Sequence, residues 1–447
     1  MKYLDSERTG FVLFFLATAF LAFVGGAVVV LSEVFPYKYF DDAYKAALAL
    51  REQSAVEDPY TQTDLWREAR TDERGVTVNQ SDAVYEGLTL YTSGDGAYAN
   101  LIDMDGNVVH RWSLPYSEVW DKSPRGAEPR SDDLMFWDKV RMLPNGDLLA
   151  IYNAANDSPW GYGMVRIDRD SNLLWGYHAH THHDLDITPD GRVITLTNEY
   201  IEEPIEAFST LDLPWLDDFV VELDGENGEE LSKISLIEAF LNSPYRELLY
   251  AIPRFALADP LHANSVQFID EPTARVFEPA RGNAGQVMVS FRHPGAIGLV
   301  DLKSGEMTWA RHGPWLGQHY GRALQNGNFM LFDNYGNFEE KNDSRVLEVN
   351  PRSNAIVWSY TGDEEHPFKS GLRSSAEALP NGNRLITESD GGRLFEVNRA
   401  GEIVWEFINP VRGGGKDQFI PVVSAGQRIA LGDIEADFRE SLDTTRR

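Results

Sequence analysis

Four short stretches carry residues whose types and spacing could do chemistry: HTHHDLDITPDG (180–191), LHANSV (261–266), VMVSFR (287–292) and GQHYGRALQNGNFMLFDN (317–334). They hold His182, His183, His262, Asn264, Arg292, His319 and Asn334, and Asn198 follows the first. An imidazole can attack, donate or accept a proton, and a guanidinium offers a planar fork suited to oxyanions. A carboxamide adds amide hydrogens. Such a set, without acidic partners, suits an anion. Transfer of a sulfuryl or phosphoryl group needs mainly positioning and charge stabilisation around three equatorial oxygens.

The spacing of these residues is repeated. Six residues before the residue that opens each Pro-Asn-Gly-like turn stand Asp138, His183, His319 and Ser374. Aligning Val266 with Val140 and Leu185 puts Asn264 in that place, with His262 two residues earlier on the same side of a strand. Seven residues after the turn glycine stand Asn153, Asn198, Asn334 and Ser389, and counting from Gly285 gives Arg292. Two rings of polar residues at matched positions are more than scattered surface histidines would give.

The elements that must position them also repeat. One half-unit is a strand, a turn and a strand that often carries Trp, as in LIDMDGNVVHRW, VRIDRDSNLLWGY and LFEVNRAGEIVWEF. The other is a strand, an Asn-Gly or Asp-Gly turn and an apolar strand, as in DKVRMLPNGDLLAIYN. Alternating apolar residues around such turns are hairpin signals. Two hairpins per unit and six units predict an all-β, six-bladed β-propeller over residues 85–436, in which the first strand of each blade lines the channel. The strand-end residues Trp112, Trp175, Trp309, Trp358 and Trp405 are expected to pack between blades. PVVSAGQRIALGD near the C-terminus could supply a strand to the blade begun by YEGLTLYTSG. The insertion around 200–260 should shape the channel mouth, with LSKISLIEAFLNSPYRELLYAI expected to be helical.

Ahead of the repeats, a tail (1–10) precedes FVLFFLATAFLAFVGGAVVVL (11–31), long and apolar enough to span a bilayer. We read it as an uncleaved transmembrane signal anchor with the large acidic domain on the extracytoplasmic (periplasmic or extracellular) side. Residues 32–84 are expected to be a membrane-proximal stalk with short helices in DDAYKAALALREQ, Asp41 capping, and in DLWREAR. Residues 437–447 are expected to be a tail. With 40 Lys and Arg against 70 Asp and Glu, the net charge of −30 argues against a nucleic-acid partner. The absence of cysteine excludes disulfides, thiol nucleophiles and Cys-ligated zinc. No Walker loop, GxSxG or HExxH motif occurs.

The segments HHDLDITPDG, LHANSV, VMVSFR and QHYGRALQNGNFMLFDN, with GLTLYTSGDGAYANLIDMDGNVVHRW before them, resemble the signature segments of the bacterial arylsulfotransferase (aryl-sulfate sulfotransferase) family over roughly residues 85–410. The resemblance implies a six-bladed propeller that moves a sulfuryl group from an aryl sulfate donor to a phenolic acceptor without a nucleotide or other cofactor. It implies that His319 is the nucleophile of a transient sulfohistidine and that Arg292 binds sulfuryl oxygens. His262 and Asn264 then surround the sulfate and phenolic oxygen, and His183, with His182 as the other choice in HHD, is the remaining active-site histidine. Arg373, beside Ser374, would add a cationic contact, and Asn198 and Asn334 would line the substrate site. Two departures are plain. The family's well-known members carry a separate β-rich N-terminal domain and a disulfide, whereas here residues 32–84, between the apolar segment and the first blade, are too few for the former and the chain has no cysteine for the latter. The sequence is compatible with a homo-oligomer or a membrane complex. Two other functions compete: a non-enzymatic, membrane-tethered binding or scaffold propeller, and a metal-dependent hydrolase using His178, His180 and His182 at period two. No metal ligands are assigned, and His110, His293, His312 and His366 receive no role, although His293 could assist Arg292.

Overall fold

The computed structural model describes residues 6–32, 34–157, 160–338 and 343–444. Outside the described residues lie residues 1–5 of the expected N-terminal tail and 445–447 of the expected C-terminal tail. The chain forms two compact units, Met1–Asp58 and Pro59–Arg447. In the first, a helix spans Ser6–Leu31, and Thr9–Leu31, with a mean hydropathy of 2.5, is long and apolar enough to cross a membrane. An anchor and a signal sequence both have this form. A second helix, Tyr37–Glu57, contains DDAYKAALALREQ. It begins before Asp41, so that residue does not cap it and instead pairs with Lys45 at 2.8 Å.

The second unit is the six-bladed propeller, whose antiparallel blades, five of four strands and one of five, run outward from the channel. Blade I takes its inner strand from Gly426–Ile429, near the C-terminus, followed by Leu88–Thr92, Tyr98–Ile102 and Val108–Ser113. Blades II to VI follow in chain order, with inner strands Met135–Met142, Thr181–Ile187, Ala263–Ile269, His319–Ala323 and Ser375–Ala378. Apolar side chains between the sheets make the core, each buried Leu, Ile, Val or Phe contributing roughly 1.5–3 kcal/mol. The expected tryptophans do pack between blades, and four of them also donate a hydrogen bond across the seam. Trp112 reaches the Gly146 carbonyl, Trp175 that of Gly225, Trp358 that of Arg399 and Trp405 that of Met104, all at 3.0–3.1 Å.

Three segments differ from expectation. DLWREAR is not helical: Trp66–Glu68 pairs with Phe419–Pro421, and Gly75–Asn79 adds a fifth, outermost strand to blade VI. Tyr60 stacks on Phe419 (5.2 Å) and meets Trp66 edge-on (4.9 Å), and this burial with ladder hydrogen bonds outweighs the weak helix preference of seven residues. The helical spacer thus ends near Glu57, apart from a single turn at Pro59–Gln62, and the rest of the expected stalk belongs to the propeller unit. The C-terminal residues are no loose tail either, because a helix over Ala436–Thr444 buries Phe438 against His110 (5.2 Å) and Trp112 (6.1 Å). Finally, LSKIS is outer strand in blade III (Glu230–Ser235), and only Leu236–Leu241 and the 3-10 turn Arg246–Ala251 are helical.

On the inner strands, Asp184 of blade III meets Arg322 of blade V at 2.5 Å and Lys139 of blade II at 3.3 Å, and all three are buried. Arg322 also lies over the Tyr320 ring at 3.7 Å. Burial alone would raise the Asp184 pKa, but Arg322 and Lys139 reverse this and hold it below the usual carboxylate value. Removing the carboxylate leaves two buried cations without their partner. Asp184→Ala is therefore expected to lower the unfolding free energy by about 3 kcal/mol, read from urea melts.

Candidate active site at the channel mouth

The inner strands of blades II to V each carry a bulge, and the bulges aim the polar residues inward. In blade V, His319 pairs with Phe332 before the register shifts toward Arg322. In blade III, His182 pairs with Leu196, and His183 and Asp184 are left over before Leu185 meets Thr195. Since Asn334 follows Phe332 by two and Asn198 follows Leu196 by two, the ladder makes His182 the counterpart of His319. Counting back from the turn had given that place to His183. The extra bulge residue reconciles the two: His183, in the left-handed region (φ 59°), approaches the other histidines from the bulge, while His182 stands behind it. In blade IV, Asn264 sits in the bulge between Ala263 and Ser265.

The structure brings His183, His262 and His319 together. The His183 ring centroid is 5.2 Å from that of His262 and 6.3 Å from that of His319. His319 directs Nδ1 at Asn334 Oδ1 (2.7 Å) and the Gly317 carbonyl (3.1 Å). Both are acceptors, so Nδ1 carries the hydrogen and Nε2 keeps the lone pair. Burial, and after it the Arg292 charge, holds the His319 pKa down to about 3. Burial and the neighbouring imidazoles, His182 first, hold His183 well below the ordinary histidine value. His182 and His183 share a hydrogen between their Nδ1 atoms at 2.7 Å, and His182 Nε2 lies 3.5 Å from Asp218.

Blade IV supplies the cation and the amide. Arg292 follows strand Gln286–Phe291, its backbone N–H bonded to the His262 carbonyl (3.2 Å). Its Nη1 donates to His293 Nε2 at 3.1 Å, and among the described residues it makes no ion pair with a carboxylate. Gly317, at φ 65°, runs past it, and a Cβ there would strike Tyr335 at 2.9 Å. Asn264 Nδ2 donates to the Gln318 carbonyl (2.7 Å), while its buried Oδ1 has no partner among the described residues.

Other expected members stand differently. Arg373 lies close enough to His183 to lower its basicity, but it is engaged by Asp64 (2.7 Å) and Asp138 (3.6 Å). Arg373 is thus compensated on the Asp138 side, and the guanidinium left for an anion is Arg292 of blade IV. Asn198 is buried, with its backbone N–H on the His180 carbonyl (3.2 Å). Ser389 turns to the Val423 carbonyl (2.6 Å). His178, His180 and His182 do not share a centre: His178 stacks on Trp120 (4.8 Å), and His180 Nδ1 bonds the Gly161 carbonyl (3.0 Å). A different trio, Asp259, His262 and His293, offers one ligand atom each within 4.8 Å of one another. Both of its Nδ1 atoms are already engaged, His262 with the Asp259 carboxylate (2.5 Å) and His293 with the Asp259 carbonyl (2.6 Å). Asp259 went unnoticed in the sequence because it lies in an insertion with no repeat counterpart. Its only signal was a place three residues before His262.

The depressed His319 pKa has a readable consequence. If His319 is the group that reacts, the donor kcat/KM is expected to show no acid limb from it between pH 6.5 and 4, whereas a solvated imidazole would lose activity through pH 6.5. The stability change runs with it. Below about pH 6.5 the unfolded imidazole binds a proton that the folded one refuses until pH 3, so this group costs stability as pH falls across that window.

Fold and cluster together define a six-bladed propeller whose histidines, amides and arginine converge at one end of the inner strands. The chain belongs to the arylsulfotransferase (ASST) family, whose model matches residues 139–410, from within blade II to the end of blade VI. No curated protein matches the chain. Among solved structures, a protein of unknown function from Bacteroides caccae is 16% identical, with a TM-score of 0.46, covering 76% of this chain and 99% of its own. A catalytically inactive variant of virginiamycin B lyase from Staphylococcus aureus, with quinupristin, is 11% identical, with a TM-score of 0.40, covering 77% of this chain and 88% of its own.

Proposed function

We propose that this protein is a membrane-anchored arylsulfotransferase that uses no nucleotide and works by a ping-pong route through His319. In the first half-reaction His319 Nε2 attacks the sulfur of an aryl sulfate. An N–S bond forms, the S–O bond breaks, and its electron pair leaves on the phenolate oxygen. Asn334 and the Gly317 carbonyl hold the Nδ1 hydrogen as positive charge grows on the ring. Arg292, Asn264 and His183 hold the sulfuryl oxygens, and a neighbouring imidazole gives the phenolate its proton. Asn198, His182 and Arg373 belong to the wall of the substrate site. A phenolic acceptor then takes the sulfuryl group by the reverse sequence.

The observation that carries this reading is the state of His319: a neutral, buried imidazole with Nδ1 tied down and, among the described residues, no hydrogen-bond partner on Nε2, beside two further imidazoles and a guanidinium that no described carboxylate pairs. These are the requirements of a nitrogen nucleophile facing an oxyanion. The test is incubation with 4-nitrophenyl sulfate, with and without a phenol. Acceptor-dependent nitrophenolate release, parallel-line kinetics and a mass gain of one SO3 on the His319 peptide support the reading. Release abolished by a chelator favours a metal-dependent hydrolase at Asp259, His262 and His293. No turnover of any ester favours a binding or scaffold propeller. The apolar helix Thr9–Leu31 supports a signal anchor, and we place the acidic propeller on the extracytoplasmic side. Protease added to spheroplasts, whose outer face of the inner membrane is open to it, should then digest the propeller, and protection there would reverse the orientation.

A further inference from the structure

His262 and Arg292 are held by one residue outside the catalytic set. Asp259 precedes the inner strand of blade IV and uses two different groups. Its carboxylate Oδ2 accepts from His262 Nδ1 at 2.5 Å, and its backbone carbonyl accepts from His293 Nδ1 at 2.6 Å. His293 then accepts the Arg292 Nη1 hydrogen on Nε2 at 3.1 Å. With both Nδ1 atoms donating, the tautomers follow: His293 Nε2 is an acceptor and His262 Nε2 is turned away from Asp259. The His262 ring lies 5.2 Å from His183 and 4.8 Å from His293, between the cluster and the brace. A carboxylate on Nδ1 fixes the ring's orientation and leaves Nε2 as the atom through which the ring exchanges a proton.

We infer that Asp259 is a positioning residue that prepares His262 to protonate the leaving phenolate and, through His293, sets the Arg292 guanidinium on the sulfuryl oxygens. This rests on the sulfuryl-transfer reading. As the S–O bond breaks toward the phenolate and the N–S bond forms at His319, the His262 Nε2 proton moves to the phenolate oxygen. The other proton stays on Nδ1, hydrogen-bonded to the Asp259 carboxylate. In the second half-reaction His262 takes the proton of the acceptor phenol and is recharged.

Leaving groups separate this role from a merely structural one. An electron-poor nitrophenolate departs without a proton, whereas unsubstituted phenolate needs one. In Asp259→Asn, kcat/KM for phenyl sulfate is expected to fall about 100-fold, while that for 4-nitrophenyl sulfate falls less than about 5-fold. The loss with phenyl sulfate should lie mainly in kcat. Asp259→Ser, which keeps the backbone carbonyl and hence the His293 arm, should show the same contrast, and retained nitrophenyl turnover certifies the fold of either variant. Equal losses on both esters, or none on phenyl sulfate, overturn the inference while leaving the sulfuryl-transfer reading intact. A wild-type protein that turns over neither ester overturns both.

Discussion

Replacing His319 with alanine is expected to lower aryl sulfate turnover by about 10^4-fold or more, with the protein still folded. The size follows from the proposed role: without a nucleophile there is no covalent intermediate, and only binding and charge stabilisation remain. His319 is nearly buried, so truncation also leaves Asn334 Oδ1 without its donor. That loss is on the order of 1–3 kcal/mol of stability and can be followed separately by denaturant melts. Two readouts tie the effect to chemistry. The SO3 adduct should vanish from the His319 peptide, and added imidazole should restore part of the nitrophenolate release by occupying the vacated space. Full activity in His319→Ala would end the ping-pong proposal.

Arg292→Ala is expected to cost the donor kcat/KM about 10^3-fold, and Arg292→Lys to recover only part of it. Burial pulls the guanidinium pKa down, yet it stays charged at neutral pH, and among the described residues no carboxylate neutralises it. An anionic sulfuryl group is the partner this arrangement lacks. Lysine brings charge without the planar fork, so it cannot present two parallel N–H groups to the oxygens while a third nitrogen edge faces His293. The second half-reaction should suffer similarly, since the same oxygens are transferred. A variant with unchanged kcat/KM would place the oxyanion elsewhere, and Arg373, beside His183, is the next cation to test.

Much of this was legible because the fold repeats itself. Asn-Gly and Asp-Gly turns fixed the hairpins, and counting from them found Asn334, His319 and Arg292 without any tertiary information. The count failed by one residue in blade III, where two residues bulge rather than the single extra one of blade V. Bulge size is set by local backbone geometry and leaves no mark in the His182-His183-Asp184 side chains. Asp259 and Asp64 were invisible for another reason. Each acts from outside the repeat on a partner chosen by folding, and Asp64 lies 309 residues from Arg373. Trp66 misled in the same way, since its strand partner is Pro421.

The closing strand of blade I sets a timetable for synthesis. Leu88–Thr92 leaves the ribosome early, but its inner neighbour, Gly426–Ile429, is made roughly 340 residues later. At typical elongation rates of 5–20 residues per second, that is about 20–70 s in which an apolar strand edge has no partner. An open edge of this kind invites pairing with another chain. The ring can therefore close only after nearly all of the protein exists, and a nonsense mutation as late as Ala425 would leave five blades able to form and the sixth permanently without its inner wall.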